Sequence, residues 1–193
     1  MMHDCIKTIQ QLFVIYGDKH YQEACSQTVH AVSCAWHAKK QHATADLIVA
    51  ALLHDIGHFI ADRDNISGFD QFGHKEHAEI GATWLAQQGF PPSVYLPIRY
   101  HVQAKRYLAS QRQLSKPLSH ASATTLAQQG GIMTESEQAR FELQPYFNDA
   151  IALRAFDELG KPTEKVSTAI SYWLPYVEFV LGESLKNDAL STN

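Results

Sequence analysis

His54 and Asp55 stand side by side at the end of an unbroken apolar run, Leu47 to Leu53, with Gly57 and His58 just beyond. A neutral imidazole offers one lone pair to one metal ion, whereas a carboxylate has two oxygens and can bridge two ions. Consecutive helical side chains point about 100° apart. The pair therefore cannot share one narrow stripe, but it can reach one ion and that ion's neighbour. Taken alone, the doublet fits a hydrogen bond at a helix end equally well. The chain holds 11 histidines in 193 residues, so the next step is to find which others fall on inward helical faces.

His30 lies four residues after Ser26 and four before Cys34, on a stripe of small residues that leaves room beside the ring. The same setting suits an ordinary core histidine. His77 aligns with Ile80, Gly81, Trp84 and Leu85 at helical spacing, on an apolar and inward face. His74, three residues earlier, shares that face, and periodicity does not choose between the two. His101 and Lys105 are stacked one turn apart. A lysine above a metal-binding histidine is repelled by the ion unless an anion lies between them; the plain reading is a surface lysine beside a surface histidine. Arg154 and Asp157 share a face within an apolar stretch, Ile151, Leu153 and Phe156, where a surface ion pair is the plain reading. Together His30, His54, Asp55, His77, His101 and Asp157 supply enough donors for two metals with Asp55 as the bridge. Nitrogen and oxygen donors without thiolate suit iron, manganese or zinc and do not select one. Ser115 to Met133 is dense in hydroxyls and amides and contains Gly130-Gly131, a composition that suits phosphate-like oxygens and also ordinary caps and loops.

The elements that must position these groups are helices. Thr44 and Asp46 are start signals for a buried helix, and Gly57 is its expected stop. Apolar spacing predicts further helices over Ile6 to Tyr16, Glu23 to Gln41, His74 to Gln88 and Val94 to Ser110, with Pro97 early enough to be a first-turn residue. Ala61 to Gly73 reads as loop. Thr134 and Glu137 have capping-box spacing. Asn148 is the expected cap of a helix ending at Gly160, and Glu164 to Leu185 forms the last, with Trp173, Tyr176 and Phe179 at buried positions. No strand is predicted, so the fold class is all-α, in one domain spanning residues 1–193.

A hydrophobic content of 45% and a charged content of 19% are ordinary for a globular protein. The formal charge of −4, without a basic tract, argues against nucleic acid and anionic membrane surfaces as partners. No apolar run approaches the length of a membrane span, and the N-terminus lacks a signal peptide's apolar core. Cys5, Cys25 and Cys34 form no CxxC, as expected of free thiols in a reducing cytoplasm, the expected location. Oligomeric state has no signal in the sequence.

The order H…HD…H…H…D resembles that of the HD-domain superfamily, from about His20 to Gly160. Three surrounding tracts narrow the resemblance: His101-Val-Gln-Ala-Lys-Arg-Tyr-Leu, then LSHASATTLAQQGG, then Arg154-Ala-Phe-Asp157-Glu-Leu-Gly-Lys161. They are similar to the HD-domain diiron oxygenases of phosphonate catabolism, a family that includes the enzyme forming glycine from 2-amino-1-hydroxyethylphosphonate. The resemblance implies an HD-domain helical bundle with a buried dinuclear site. It also implies two iron ions in a mixed-valent Fe(II)/Fe(III) pair, O2 as co-substrate, and a small 1-hydroxyalkylphosphonate as substrate, either that aminophosphonate or an N-methylated relative. Hydrogen is taken from the carbon bearing the hydroxyl and the phosphonate, and the carbon–phosphorus bond is cleaved to a carboxylic acid and inorganic phosphate. By motif position His30, His54, Asp55 and Asp157 would hold one iron, and Asp55, His77 and His101 the other. Lys105, Ser122, Gln129, Arg154 and His58 would grip or orient the phosphonate.

The family's Tyr-x-x-Glu motif is altered here to His20-Tyr21-Gln22-Glu23. Glu23 falls on the glutamate that would meet a substrate ammonium, and His20 falls on the tyrosine that would close the vacant iron position. Tyr21 is one residue off, so either His20 or Tyr21 could close it. A metal-dependent HD phosphohydrolase of a small phosphate ester is the alternative activity, since most of the superfamily is of that kind.

Overall fold

The computed structural model describes residues 2–111, 120–160 and 169–191. They form the helices α1 (Met2–Tyr16), α2 (Gln27–Lys40), α3 (Ala45–Leu53), α4 (Ile56–Arg63), α5 (His77–Gln87), α6 (Pro92–Ser110), α7 (His120–Gln128), α8 (Glu135–Glu142), α9 (Phe147–Leu159) and α10 (Leu174–Ser191). A short 3-10 turn, Ile170–Tyr172, precedes α10. Between α4 and α5 lies a small antiparallel hairpin, β1 (Phe69–Asp70) and β2 (Gly73–His74), which pairs Phe69 with His74.

α3 is the axis of the bundle. Every residue from Leu47 to Leu53 is buried, and α2, α6, α9 and α10 pack around it. A helix apolar on all sides has no solvent face to orient it. Removing such side chains from water contributes roughly 1.5–3 kcal/mol each. Thr44 caps its start, its hydroxyl accepting from the Leu47 N–H at 3.3 Å. Ala104, Met133, Phe141 and Ala150 make a smaller core where α8 and α9 meet α6.

The architecture is the all-α one predicted, with local differences. Gly57 does not stop a helix; it lies in the first turn of α4. A Cβ built there would stand 1.9 Å from the carbonyl oxygen of His77, and Gly81 faces it across the contact. The glycine is required by the close crossing of α4 and α5. Ala61–Arg63, expected as loop, complete α4, and the expected all-helical stretch from His74 begins only at His77, because His74 is engaged in β2. α2 starts at Gln27 rather than Glu23, since the Ser26 hydroxyl caps it by accepting from the Val29 N–H. α6 begins at Pro92, which places Pro97 in its second turn. Tyr146, in a left-handed conformation (φ 61°), is the N-cap of α9, so Asn148 lies inside the helix. Phe179 is 60% exposed, whereas Trp173 is fully buried. The Thr134–Glu137 capping box forms as expected. Parts of two predicted tracts, 115–119 and 164–168, lie outside the described residues.

Candidate metal centre

The chain leaves α3 at Leu53, passes through His54 and Asp55, and re-enters a helix at Ile56. Asp55, with φ −98° and ψ 5°, turns the backbone there, and this lets two adjacent side chains both point inward. His54 is 1% exposed. α2 delivers His30, α5 His77, α6 His101 and α9 Asp157, all buried.

The ring nitrogens meet in pairs. His30 Nε2 and His54 Nε2 are 3.2 Å apart, and His77 Nε2 and His101 Nε2 are 3.1 Å apart. Asp55 lies between the pairs. Its Oδ2 is 3.5 Å from His54 Nε2 and 3.7 Å from His30 Nε2, while its Oδ1 is 3.5 Å from His77 Nε2 and 3.9 Å from His101 Nε2. Asp157 Oδ1 adds a donor to the first pair, 3.3 Å from His30 Nε2 and 3.9 Å from His54 Nε2.

Proton positions follow from the partners. His30 Nδ1 faces the carbonyl of Gly160 at 2.9 Å, His54 that of Ala51 at 3.0 Å, His77 that of His74 at 2.8 Å, and His101 that of Ile98 at 2.7 Å. A carbonyl only accepts, so each Nδ1 carries a proton, and in the neutral ring each Nε2 presents a lone pair. Two lone pairs held 3.1–3.2 Å apart repel unless a cation lies between them. The spacing is that of two imidazole nitrogens on neighbouring corners around one ion at about 2.0–2.1 Å. Backbone carbonyls behind ligating histidines are the usual device for orienting such rings. The residues fit two metal ions, His30, His54, Asp157 and Asp55 toward one, and His77, His101 and Asp55 toward the other.

Cys34 also lies near the first group. Its sulfur is 3.7 and 3.8 Å from the two ring nitrogens of His30, beside the ring and not along the Nε2 lone pair. Burial pushes its thiol up from the ordinary range. Burial also lowers His77, His58 and His101, the last to about 3.

Around the donors the cavity wall carries Tyr21, Glu23, His58, Lys105, Ser122, Gln129 and Arg154. Lys105 is 4% exposed and donates to Thr125 Oγ1 at 2.9 Å. Arg154, 3% exposed, pairs with Asp157 and Glu158 and reaches Ser122 Oγ at 3.4 Å. The Arg154–Asp157 pair is thus buried, which excludes the plain reading of a surface ion pair. Asp157 turns Oδ2 to the guanidinium and Oδ1 to the histidines. Tyr21 Oη, Gln129 Oε1 and Arg154 Nε are buried without a hydrogen-bond partner among the described residues, an arrangement that a polar ligand would satisfy.

His20 is exposed, does not line the cavity, and points Nδ1 at the Glu23 carbonyl, 3.3 Å away. Tyr21 and Gln22 both adopt left-handed backbone, φ 45° and 62°. This turn carries the Tyr21 ring inward to 4.7 Å from that of His58. Burial, with Asp62 and Asp55 nearby, raises the Tyr21 phenol further above its ordinary range. Glu158 and Thr125 carry no signal of their own in the sequence reading, and His74 enters it only as the alternative to His77. Glu158 is four residues after Arg154 on one helix, a spacing that could have revealed it.

A family model described as HD domain matches residues 28–138. The hydroxymethylphosphonate dioxygenase of Gimesia maris is 39% identical over 81% of this chain and 78% of its own length. The [1-hydroxy-2-(trimethylamino)ethyl]phosphonate dioxygenase (glycine-betaine-forming) of Leisingera caerulea is 36% identical over 90% of this chain and 88% of its own. The chain belongs to the HD-domain phosphonate oxygenase family. The HD-domain match spans His30, the His54-Asp55 doublet, His77, His101 and Lys105, while Arg154 and Asp157 come from beyond it, on α9 packed against α6 and α2. Among the described residues no helix is long and apolar enough to cross a membrane.

Proposed function

We propose that the protein is an iron-dependent oxygenase that cleaves the carbon–phosphorus bond of a small 1-hydroxyalkylphosphonate. The reaction consumes one O2 per bond and converts R–CH(OH)–PO3H2 to R–COOH and phosphoric acid, so its atoms balance without a further reductant. The observation that carries this reading is that buried Lys105, Ser122 and Arg154 share one cavity with two histidine pairs that meet about Asp55. The family membership and the substrates named for the two relatives support it.

A mixed-valent Fe(II)/Fe(III) pair would supply the one-electron chemistry that O2 needs and the Lewis acidity that binds the substrate hydroxyl. The chain's own residues do the rest. Lys105 and Arg154 place positive charge where a phosphonate dianion must be held, and Ser122 with Gln129 offers uncharged hydrogen bonds to it. This explains a lysine one turn above His101: the anion stands between it and the metals. His58 accepts from the His74 N–H at Nδ1, 2.8 Å, and so directs an Nε2–H into the cavity. Tyr21 closes the site on the side of His58 until substrate displaces it. Glu23, on the cavity wall, meets the cationic tail of 2-amino-1-hydroxyethylphosphonate or an N-methylated relative.

The test is phosphate release from a panel of 1-hydroxyalkylphosphonates by iron-loaded protein, in air and under strict anaerobiosis. Release that requires O2 is expected, from one tail above the others. Release from phosphate esters that persists without O2 would replace this reading with a phosphohydrolase.

A further inference from the structure

We propose that His74 is a positioning residue whose backbone N–H and carbonyl fix opposite proton placements on His58 and His77, making one a hydrogen-bond donor and the other a metal ligand. The two rings stack at 4.1 Å with 22° between their planes. The His74 N–H donates to His58 Nδ1 at 2.8 Å, and the His74 carbonyl accepts from His77 Nδ1 at 2.8 Å. An accepting Nδ1 has no proton, so the ring proton of His58 sits on Nε2. A donating Nδ1 leaves His77 Nε2 as a lone pair, 3.1 Å from that of His101.

The His74 backbone is itself held. The His74 side chain is buried, its Nε2 donates to the Ser67 carbonyl at 2.9 Å, and its Nδ1 accepts from the Glu76 N–H at 3.1 Å. Those two bonds demand the same tautomer, so the anchor is self-consistent. Glycines on either side let the hairpin come this close. Gly73, at φ +95°, has its absent Cβ 2.5–2.6 Å from His58 Cε1 and Nδ1. Gly68, at φ +123°, has its own 2.9 Å from His74 Nε2. The hairpin thus serves the site through its backbone, with no hairpin side chain needed as a ligand.

That His58 then donates to a phosphonate oxygen rests on the proposed function; the proton placements do not. The experiment is nitrogen-15 NMR of the histidine rings in metal-free protein at neutral pH, with metal stoichiometry and the affinity for inorganic phosphate measured on metal-loaded protein. The wild type should show His58 protonated on Nε2 and His77 on Nδ1. H74A and G73A should both mix the two tautomers at these rings while His30 and His54 keep theirs. In both variants phosphate binding should weaken about tenfold, as expected for one lost hydrogen bond to an anion, and metal should be lost from one of the two positions. H74Q, which can still donate to the Ser67 carbonyl, should restore most of this. A wild-type His58 protonated on Nδ1, or variants whose His58 and His77 signals do not change, would overturn the proposal. Failure of phosphonate turnover with the NMR pattern intact would instead remove the substrate reading alone.

Discussion

Asp55 divides its two oxygens between two histidine pairs, and this sets it apart from the other donors. In D55N one oxygen becomes an amide that can only point hydrogens at nitrogen lone pairs. Metal analysis of D55N should therefore show less than one ion per chain, whereas D157N, which touches only the first pair, should retain about one. Equal losses in the two variants would mean that Asp55 does not bridge. A second residue-scale prediction concerns Glu158, buried against Arg154. Breaking a buried ion pair from one side costs about 3–5 kcal/mol, and Asp157 still compensates part of the Arg154 charge, so E158A should lose about 3 kcal/mol by denaturant midpoint. Five of the six proposed donor side chains were legible in the sequence because each lies on an inward helical face or at a helix end, where apolar neighbours mark the direction. The choice of His77 over His74 was not legible, nor was that of Tyr21 over His20 at the cavity. In each case the answer depends on backbone that has left the helix: β2 at His74, and the left-handed pair Tyr21–Gln22. Periodicity carries no information about either.

At the level of elements, the centre exists because α3 and α4 meet at the His-Asp doublet and α4 then crosses α5 in backbone contact. Gly57 permits that crossing. Its role was misread as a helix stop because a glycine after an apolar run carries the same local signal in both cases, and only the approach of a distant helix distinguishes them. The hairpin escaped notice for a related reason, since two residues per strand are too few for an alternating pattern. By contrast α1, α5 and α6 are long enough for their apolar faces to declare them. G57A forces a methyl group to within 1.9 Å of the His77 carbonyl oxygen, and α5 must move to admit it. We expect a loss of about 1–3 kcal/mol, the usual scale of overpacking. The shift should also carry His77 away from Asp55 and His101, so metal should be lost from that position before the His30–His54 one. A variant that lost stability but held both ions equally would show that the crossing does not position the ligand.

For the molecule as a whole, a cluster of buried neutral imidazoles links folding to acid and to metal. His58, His77 and His101 are all lowered by burial from an ordinary value of 6.5, His101 to about 3. Each can accept a proton more readily in the unfolded chain than in the folded one. The stability they confer is present above pH 6.5 and is lost as pH falls toward their folded values. His30, where Cys34 and Asp157 outweigh burial, is shifted the other way and offsets part of this. Its stabilising contribution is already complete below pH 6.5, so the loss from the other three is unopposed from there down. The thermal midpoint of metal-free protein should therefore fall steadily between pH 7 and about 4.5, before most ordinary carboxylates titrate. Bound metal should raise the midpoint at neutral pH, because an ion held only by the folded donors adds its binding free energy to folding. It should also steepen the pH dependence, since protons and ions compete for the same Nε2 lone pairs. A midpoint that stays flat from pH 7 to 4.5 in the metal-free protein would mean that these rings take up protons as readily in the fold as in the unfolded chain.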